Sequence, residues 1–427
     1  MVVTVLPSSA PSARADVVSA RIGGQLLLFE PASRRLHALN TSAALVWEHL
    51  DGASTASTIA ARLGERYASD RAVVEADVVA VIGRFASLGL LAGRSPVRAA
   101  VSGSPSASPS ESPSGAHAPE ATLLAAVDPV AAARRRLDER TWAWSSGVHE
   151  APGLTFRVRA EDAGSAGGLA RALRPLRAGE ASGGASVGRS LDAADDAADD
   201  AADDVAVDAA VDAAVDHVFS VLRDGGDRWS VLVDGVPVGV AGSVDDVVAA
   251  VLRQLDRAVV DHLPRAVCFH GGAVQIGRQV VLLPGPVGSG TSSVTGTLVR
   301  RGAGYLADHV VPFDPARGSA FAYPRPIGAQ RPVDPASIPG VVLGRGGPIR
   351  VVVSPVRVPG APTRVEQRIG ADAVRLLLDT TYAFDRLGAD GFLALVALAR
   401  RVPVYRVTSD DLEATCEVVL ELARVAG

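Results

Sequence analysis

Residues 285–293 read GPVGSGTSS. Gly285, Gly288 and Gly290, interleaved with the hydroxyls of Ser289, Thr291, Ser292 and Ser293, are the residue types that cradle a phosphate. Glycines let successive backbone N–H groups turn inward at the start of a helix, and a hydroxyl there can hold a magnesium ion. Against the pattern G-x4-G-K-[ST], Gly285 and Gly290 keep the spacing and Ser292 supplies the hydroxyl. Thr291 stands where the lysine belongs. The absence is general: all 42 Lys+Arg residues of this 427-residue chain are arginine. Schiff-base chemistry, a lysine general base and a lysine on a phosphate are therefore excluded. The competing reading of the run is a glycine-rich turn and nothing more. Two titratable residues lie close by in sequence, His270 and Asp308, and either could equally be a hydrogen-bonded strand-end or turn residue.

The elements around this loop have the order that it needs. AVCFHGGAVQI is apolar and β-rich, Gly277-Arg278 turns the chain, and QVVLLPG reads as a short buried strand. The loop follows, then a helix through TGTLVRRG, then a further strand. Arg300, Arg301, Arg325 and Arg331 are the arginines near enough in sequence to replace the missing lysine. As surface or carboxylate-paired side chains they would do no such work.

A second pattern lies near the N-terminus. Residues 17–39 alternate apolar and polar, with turns at Gly23-Gly24 and Pro31-Ala32-Ser33, and predict three short strands. Asn40-Thr41-Ser42 opens a helix as a cap cluster. Thr55 starts a second helix, and Val74 to Leu88 forms a third with Val78, Ile82 and Phe85 on one face. Three strands and three helices make a small winged-helix plan. DNA binding is the reflex guess, but the third helix carries Arg84 against Glu75 and Asp77, and a recognition helix needs basic and amide side chains.

Composition divides the rest. Residues 15–93 read as folded. Residues 94–120 are rich in Ser, Pro and Ala and read as a disordered linker. Residues 121–260 form a mixed lead-in region, with hairpin signals at Gly225-Gly226 and Asp234-Gly235 and a helical stripe from Val244 to Leu255. Within it, residues 192–216 repeat Asp and Ala and hold ten Asp. They read as a solvated helix or a disordered acidic insertion, with a docking site for a basic partner as the sharper alternative. Residues 261–427 read as folded again. The net charge of −5 comes from the acidic run, and the remainder is mildly basic but too diffuse for nucleic acid. Two cysteines exclude a disulfide scaffold. No membrane span and no signal peptide are expected, so the chain reads as cytoplasmic.

LHALNTSAALVWEHLDGASTASTIAARL, followed by FASLGLL, resembles the PqqD-like family over about residues 15–93. The resemblance rests on Leu39, Asn40, Ser42, Ala43 and Trp47, on Asp51-Gly52 and on Gly89-Leu90-Leu91. It implies a leader-peptide-binding domain of ribosomal peptide natural-product pathways. The leader would join as an added strand beside Arg35, Leu36, His37, Ala38 and Leu39. Val78, Ile82 and Phe85 would wall the groove, and each of these three would otherwise be plain core. Arg34 and Arg35 would meet acidic leader residues, or be solvated.

FHGGAVQIGRQVVLLPGPVGSGTSS, LVRRGAGYLADHVVPFD and YPRPIG resemble the HPr kinase/phosphorylase C-terminal fold over about 264–425, with the hairpin near 218–240 as a lead-in sheet. That resemblance implies an α/β P-loop kinase-like domain using ATP and magnesium. Asp308 and His270 would be catalytic, Gly285, Gly288, Ser289, Gly290, Thr291, Ser292 and Ser293 would hold nucleotide, and Ser292 and Asp308 would bind metal. The chain departs from the family twice: Thr291 carries no charge, and Asp308-His309 lacks the second acid. Two functions follow. The first is a precursor-peptide-binding accessory protein whose degenerate kinase-like domain is a scaffold or weak nucleotide binder for partner enzymes that modify the peptide. The second is an active kinase acting on the bound peptide. An oligomer fits either.

Overall fold

The structure, a computed structural model, describes residues 10–67, 71–93, 137, 140–178, 211–212, 214–224, 226–328 and 332–426. The linker 94–120, most of the Asp/Ala run and Arg331 lie outside the described residues.

The N-terminal unit begins with an antiparallel sheet, β1 (Val18–Ile22), β2 (Gln25–Glu30) and β3 (Arg35–Leu39), in that order. Three helices follow: α1 (Thr41–Glu48), α2 (Ala56–Tyr67) and α3 (Arg71–Ser87). Asn40 caps α1, its Oδ1 accepting from the Ala43 N–H at 2.9 Å, so one otherwise orphaned donor is satisfied. The expected alternation fails in β2. Its run Leu26, Leu27, Leu28, Phe29 is buried throughout. Leu26 and Leu28 pack with α1–α3 around Trp47, Ile59 and Phe85. Leu27 and Phe29 point the other way, into a core that they share with the C-terminal residues. Covering both faces of a sheet removes the need for polar alternation.

The middle region has its own sheet: β4 (Trp144–Ser145), β5 (His149–Ala151), β6 (Leu154–Ala160), β7 (His217–Arg223), β8 (Trp229–Val233) and β9 (Val236–Ala241). Helix α4 (Ala163–Leu173) links β6 to the segment before β7, and α5 (Val244–His262) follows β9. The 218–240 hairpin thus belongs to a sheet separate from the C-terminal one. The end of the acidic run has a structural use. Asp212 pairs with the buried Arg157 and Arg159 at 3.1 and 2.7 Å, and Asp216 accepts from the Thr155 N–H at 2.8 Å.

The C-terminal sheet runs β11 (Gln279–Pro284), β10 (Val267–Ile276), β12 (Gly304–Asp314), β13 (Ser319–Ala320), β14 (Gly347–Arg357), β16 (Val404–Ser409) and β15 (Arg364–Arg368). β11 also pairs in parallel with β14, which closes five of these strands into a ring. Around it lie α6 (Thr291–Arg300), α7 (Gly370–Asp379), α8 (Phe384–Arg401) and α9 (Leu412–Val425). Among the described residues no helix is long and apolar enough to cross a membrane.

The N-terminal sheet is fastened to α7 and α8. The Phe29 ring stacks on Phe392 at 4.9 Å and meets Phe384 edge-on at 5.4 Å. Gln25 Oε1 accepts from the Ala371 N–H at 3.1 Å, at the start of α7, which has no side-chain cap of its own. A Cβ at Gly370, whose φ is +55°, would lie 2.4 Å from that same oxygen. The positive φ favours glycine there, and a larger residue would also displace the Gln25 amide from the Ala371 N–H. Arg400 donates to the Arg21 carbonyl.

Candidate functional site

Two places hold the residues singled out from the sequence. The first is β3, which pairs with β2 and is an edge of its sheet. An edge strand presents N–H and C=O groups to any extended chain that comes alongside. Arg35 and Ala38 are exposed, Leu36 and His37 are half-buried, and Leu39 is in the core. His37 Nε2 lies 2.9 Å from the buried Glu30, which also takes Arg14 at 3.2 Å, and Arg14 reaches the Gly89 carbonyl at 2.7 Å. This chain of contacts holds β3 against the turn that ends α3. Arg34 is exposed: at φ +54° it sits in the left-handed region, and its guanidinium lies 5.5 Å from the centre of the Phe384 ring.

The proposed groove wall is placed differently from the expectation. Val78, Ile82 and Phe85 are each 2% exposed and pack against α1, α2 and β2, with Phe85 edge-on to Trp47 at 5.3 Å. Their helical spacing reports which face of α3 is buried. In this conformation they are core side chains. The outer face of α3 carries Ala76, Val79 and Ala80 instead.

The second place is the loop between β11 and α6. Gly288 (φ +86°) and Gly290 (φ +93°) take conformations that L side chains avoid, as a phosphate loop requires. The loop's interior, however, is filled by its own side chains. Ser289 and Thr291 are buried, and a Cβ at Gly285 would lie 2.5 Å from Ser289 Oγ. Thr291, at the lysine position, points into protein. Ser293 is exposed, as is the loop tip, where Val287 is 85% exposed.

Beneath the loop, α6 and β12 bring Ser292 and Asp308 together, with Ser292 Oγ donating to Asp308 Oδ1 at 3.1 Å. Asp308 Oδ2 accepts from the Gly328 N–H at 2.8 Å. Asp308 is fully buried, and burial raises its pKa against these two hydrogen bonds and the nearby Arg325. His270 Nδ1 donates to the Gly285 carbonyl, while its Nε2 is buried with no partner among the described residues. The His270 ring lies 5.5 Å from that of His309 and 5.6 Å from that of Tyr382. His309 occupies the second-acid position at φ +74°. Its pKa is lowered to about 4 by burial, with Arg325 and His270 adding to the effect.

Of the arginines suggested as a lysine replacement, the three described ones, Arg300, Arg301 and Arg325, are engaged away from the loop. Arg300 bonds Thr297 Oγ1 at 2.8 Å, and Arg301 pairs with Glu413. Arg325 is buried and pairs with Asp256 of α5, which also accepts from the Tyr323 hydroxyl at 3.1 Å. Burial raises the Asp256 pKa to about 6, with Arg325 opposing. Sequence reasoning missed Asp256, although an acid among Leu252, Leu255 and Val259 on the apolar face of α5 is a signal for a buried partner.

These residues do not fit magnesium-ATP turnover. The backbone turn is present, but Thr291 brings no charge to it, and the described arginines named from the sequence are engaged elsewhere. Arg357, whose backbone N–H donates to the Ser289 carbonyl at 3.1 Å, is the arginine beside the loop and pairs with Asp410 at 3.3 Å. Asp308, the carboxylate that Ser292 meets, is buried and already hydrogen-bonded to Ser292 and to the Gly328 N–H. Among the described residues no group of three His, Cys, Asp or Glu could hold a metal ion.

Residues 25–91 match the family model for coenzyme PQQ synthesis protein D (PqqD). No curated protein matches the chain. A solved structure of TbiB1 in complex with the TbiA(beta) leader peptide is 24% identical, covers 20% of this chain and 98% of that one, and has a TM-score of 0.19. The Hpr(Ser) kinase/phosphatase from Coxiella burnetii is 15% identical, covers 37% of this chain and 93% of that one, and has a TM-score of 0.22.

Proposed function

We propose that this chain, matched to PqqD over residues 25–91, binds the leader of a ribosomally made precursor peptide on the β3 edge and presents it to peptide-modifying enzymes. The observation that carries the reading is the open edge of β3 inside the matched segment, braced by His37, Glu30 and Arg14. Backbone pairing would supply affinity, and pockets for alternate side chains would supply selectivity. The three-strand, three-helix unit is a winged-helix module put to peptide rather than DNA recognition.

The C-terminal region serves in this reading as a scaffold of kinase-like descent, with its phosphate loop closed on itself. Two features support that role over phosphoryl transfer: Thr291 is buried at the lysine position, and Arg325 is committed to Asp256.

The test is a selection from a display library of random peptides on the full chain. Enriched peptides should bind the wild type and lose at least about tenfold in affinity to Ala38→Pro, which removes an edge N–H. Incubation of the same peptides with magnesium-ATP should transfer no phosphate. Phosphorylated peptide that is lost with Asp308→Asn would favour the kinase reading and end the scaffold one.

A further inference from the structure

The β3 edge has a neighbour that the N-terminal unit does not itself supply. Arg375 of α7 donates through Nη2 to the Leu36 carbonyl at 3.3 Å. Leu36 is opposite Phe29 and Ala38 is opposite Leu27, so both share the face of β2 that packs on α7 and α8. Ala38 lies two residues from Leu36, so its backbone groups point the same way as that carbonyl. A strand added at this edge would alternate its side chains between the two faces of the sheet. Those on one face would meet the N-terminal unit, and those on the other would meet α7.

We propose that α7 is the second wall of the peptide site and that Arg375 selects a carboxylate on the incoming strand. The proposal rests on the peptide-binding reading above. Arg375 is exposed, and it donates to a neutral carbonyl rather than a carboxylate. An incoming strand takes the Leu36 carbonyl with its own N–H, and the released guanidinium then faces a side chain of the same strand. A carboxylate there gains a charge-assisted hydrogen bond, bidentate where the geometry allows. Asp372 and Asp379 are exposed on α7 three residues before and four after Arg375, which places them on the same side of the helix. The face therefore reads acid, base, acid. It favours one carboxylate flanked by neutral or basic side chains over a uniformly acidic segment. Gln25 holds the first turn of α7, and Phe29 packs on Phe384 and Phe392 of the adjoining α8, so the wall is built before the peptide arrives.

The experiment selects random displayed peptides on three forms of the full chain: wild type, Arg375→Gln and Arg375→Glu. The wild type should enrich Asp or Glu at one position, and those peptides should bind Arg375→Gln about fivefold more weakly. Arg375→Glu should enrich Lys or Arg at that same position, a gain that a misfolded variant cannot give. An unchanged pattern across all three forms would overturn the role of Arg375 and leave the β3 reading standing, provided binding is still lost in Ala38→Pro. Enrichment that survives Ala38→Pro, or no enrichment at all, would overturn the β3 reading and this proposal with it.

Discussion

The β3 edge and the loop at 285–293 both offer backbone groups at a place where a ligand is expected, yet they are finished in opposite ways. At β3 the side chains brace the strand from behind and leave its edge without a partner strand, with only the Leu36 carbonyl taken, by Arg375: Glu30 holds His37, Arg14 holds Glu30, and Phe29 anchors the sheet below. At the loop the side chains turn inward. Ser289 occupies the space over Gly285, Ser292 donates to Asp308, and Arg325 is matched to Asp256. The matching at the loop is incomplete, since His270 Nε2, Ser289 Oγ and Arg325 Nε are buried without a partner among the described residues. In the function proposed above, recognition belongs to the first region and scaffolding to the second.

Four changes break or sharpen that contrast, from the largest expected effect on stability or binding to the smallest. Arg325→Met should destabilise the chain by about 3–5 kcal/mol in urea unfolding, because it leaves Asp256 buried without its partner. A loss below about 1 kcal/mol would mean that Arg325 is not spent on structure. Phe29→Ala should cost about 3 kcal/mol or more. It should also split a single thermal transition in two, as the N-terminal sheet loses its hold on α7 and α8. Ala38→Pro should leave the melting temperature within a degree or two while lowering peptide affinity by about tenfold, since an edge N–H is not part of the β2–β3 ladder. His309→Asn should flatten the loss of stability on acidification. The folded-state pKa of His309 lies below its ordinary value of 6.5, at about 4, so its contribution is present above 6.5 and is lost as pH falls from there toward 4. The variant should recover on the order of 1 kcal/mol at pH 5 relative to pH 7, discounted for a half-exposed ring. Asp256 acts with the opposite sign: its pKa is raised to about 6, so its contribution is lost as pH rises from about 4 to 6. The comparison of His309→Asn with wild type cancels that common background.

Local chemistry was readable from the sequence, and long-range pairing was not. Asn40 announced its helix because a cap acts within three residues. The glycines at 288 and 290 announced a positive-φ turn because only that turn needs them. The stripe Val78, Ile82, Phe85 announced burial correctly in kind, but periodicity does not say whether a face is closed or lines a groove. The run Leu26–Phe29 did carry a sign of what lay beyond, since four consecutive apolar residues in a strand mean that both faces are covered. What covers the second face, Phe384 and Phe392, lies some 360 residues away. Likewise Asp256 and Arg325 are 69 residues apart, and nothing local pairs them.

The contact between Phe29 and Phe392 also has a schedule. The ribosome makes Leu27 and Phe29 some 360 residues before their partners on α8. At about 5–20 residues per second the interval is on the order of 20–70 seconds. Throughout that time the N-terminal unit can close its own core around Trp47 and Phe85, but the other side of β2 stays bare. A half-made chain therefore exposes two large apolar side chains beside an open strand edge, the combination that invites aggregation. Expression of fragments that stop short of α8 should meet this hazard permanently, and the cell meets it with every copy it makes.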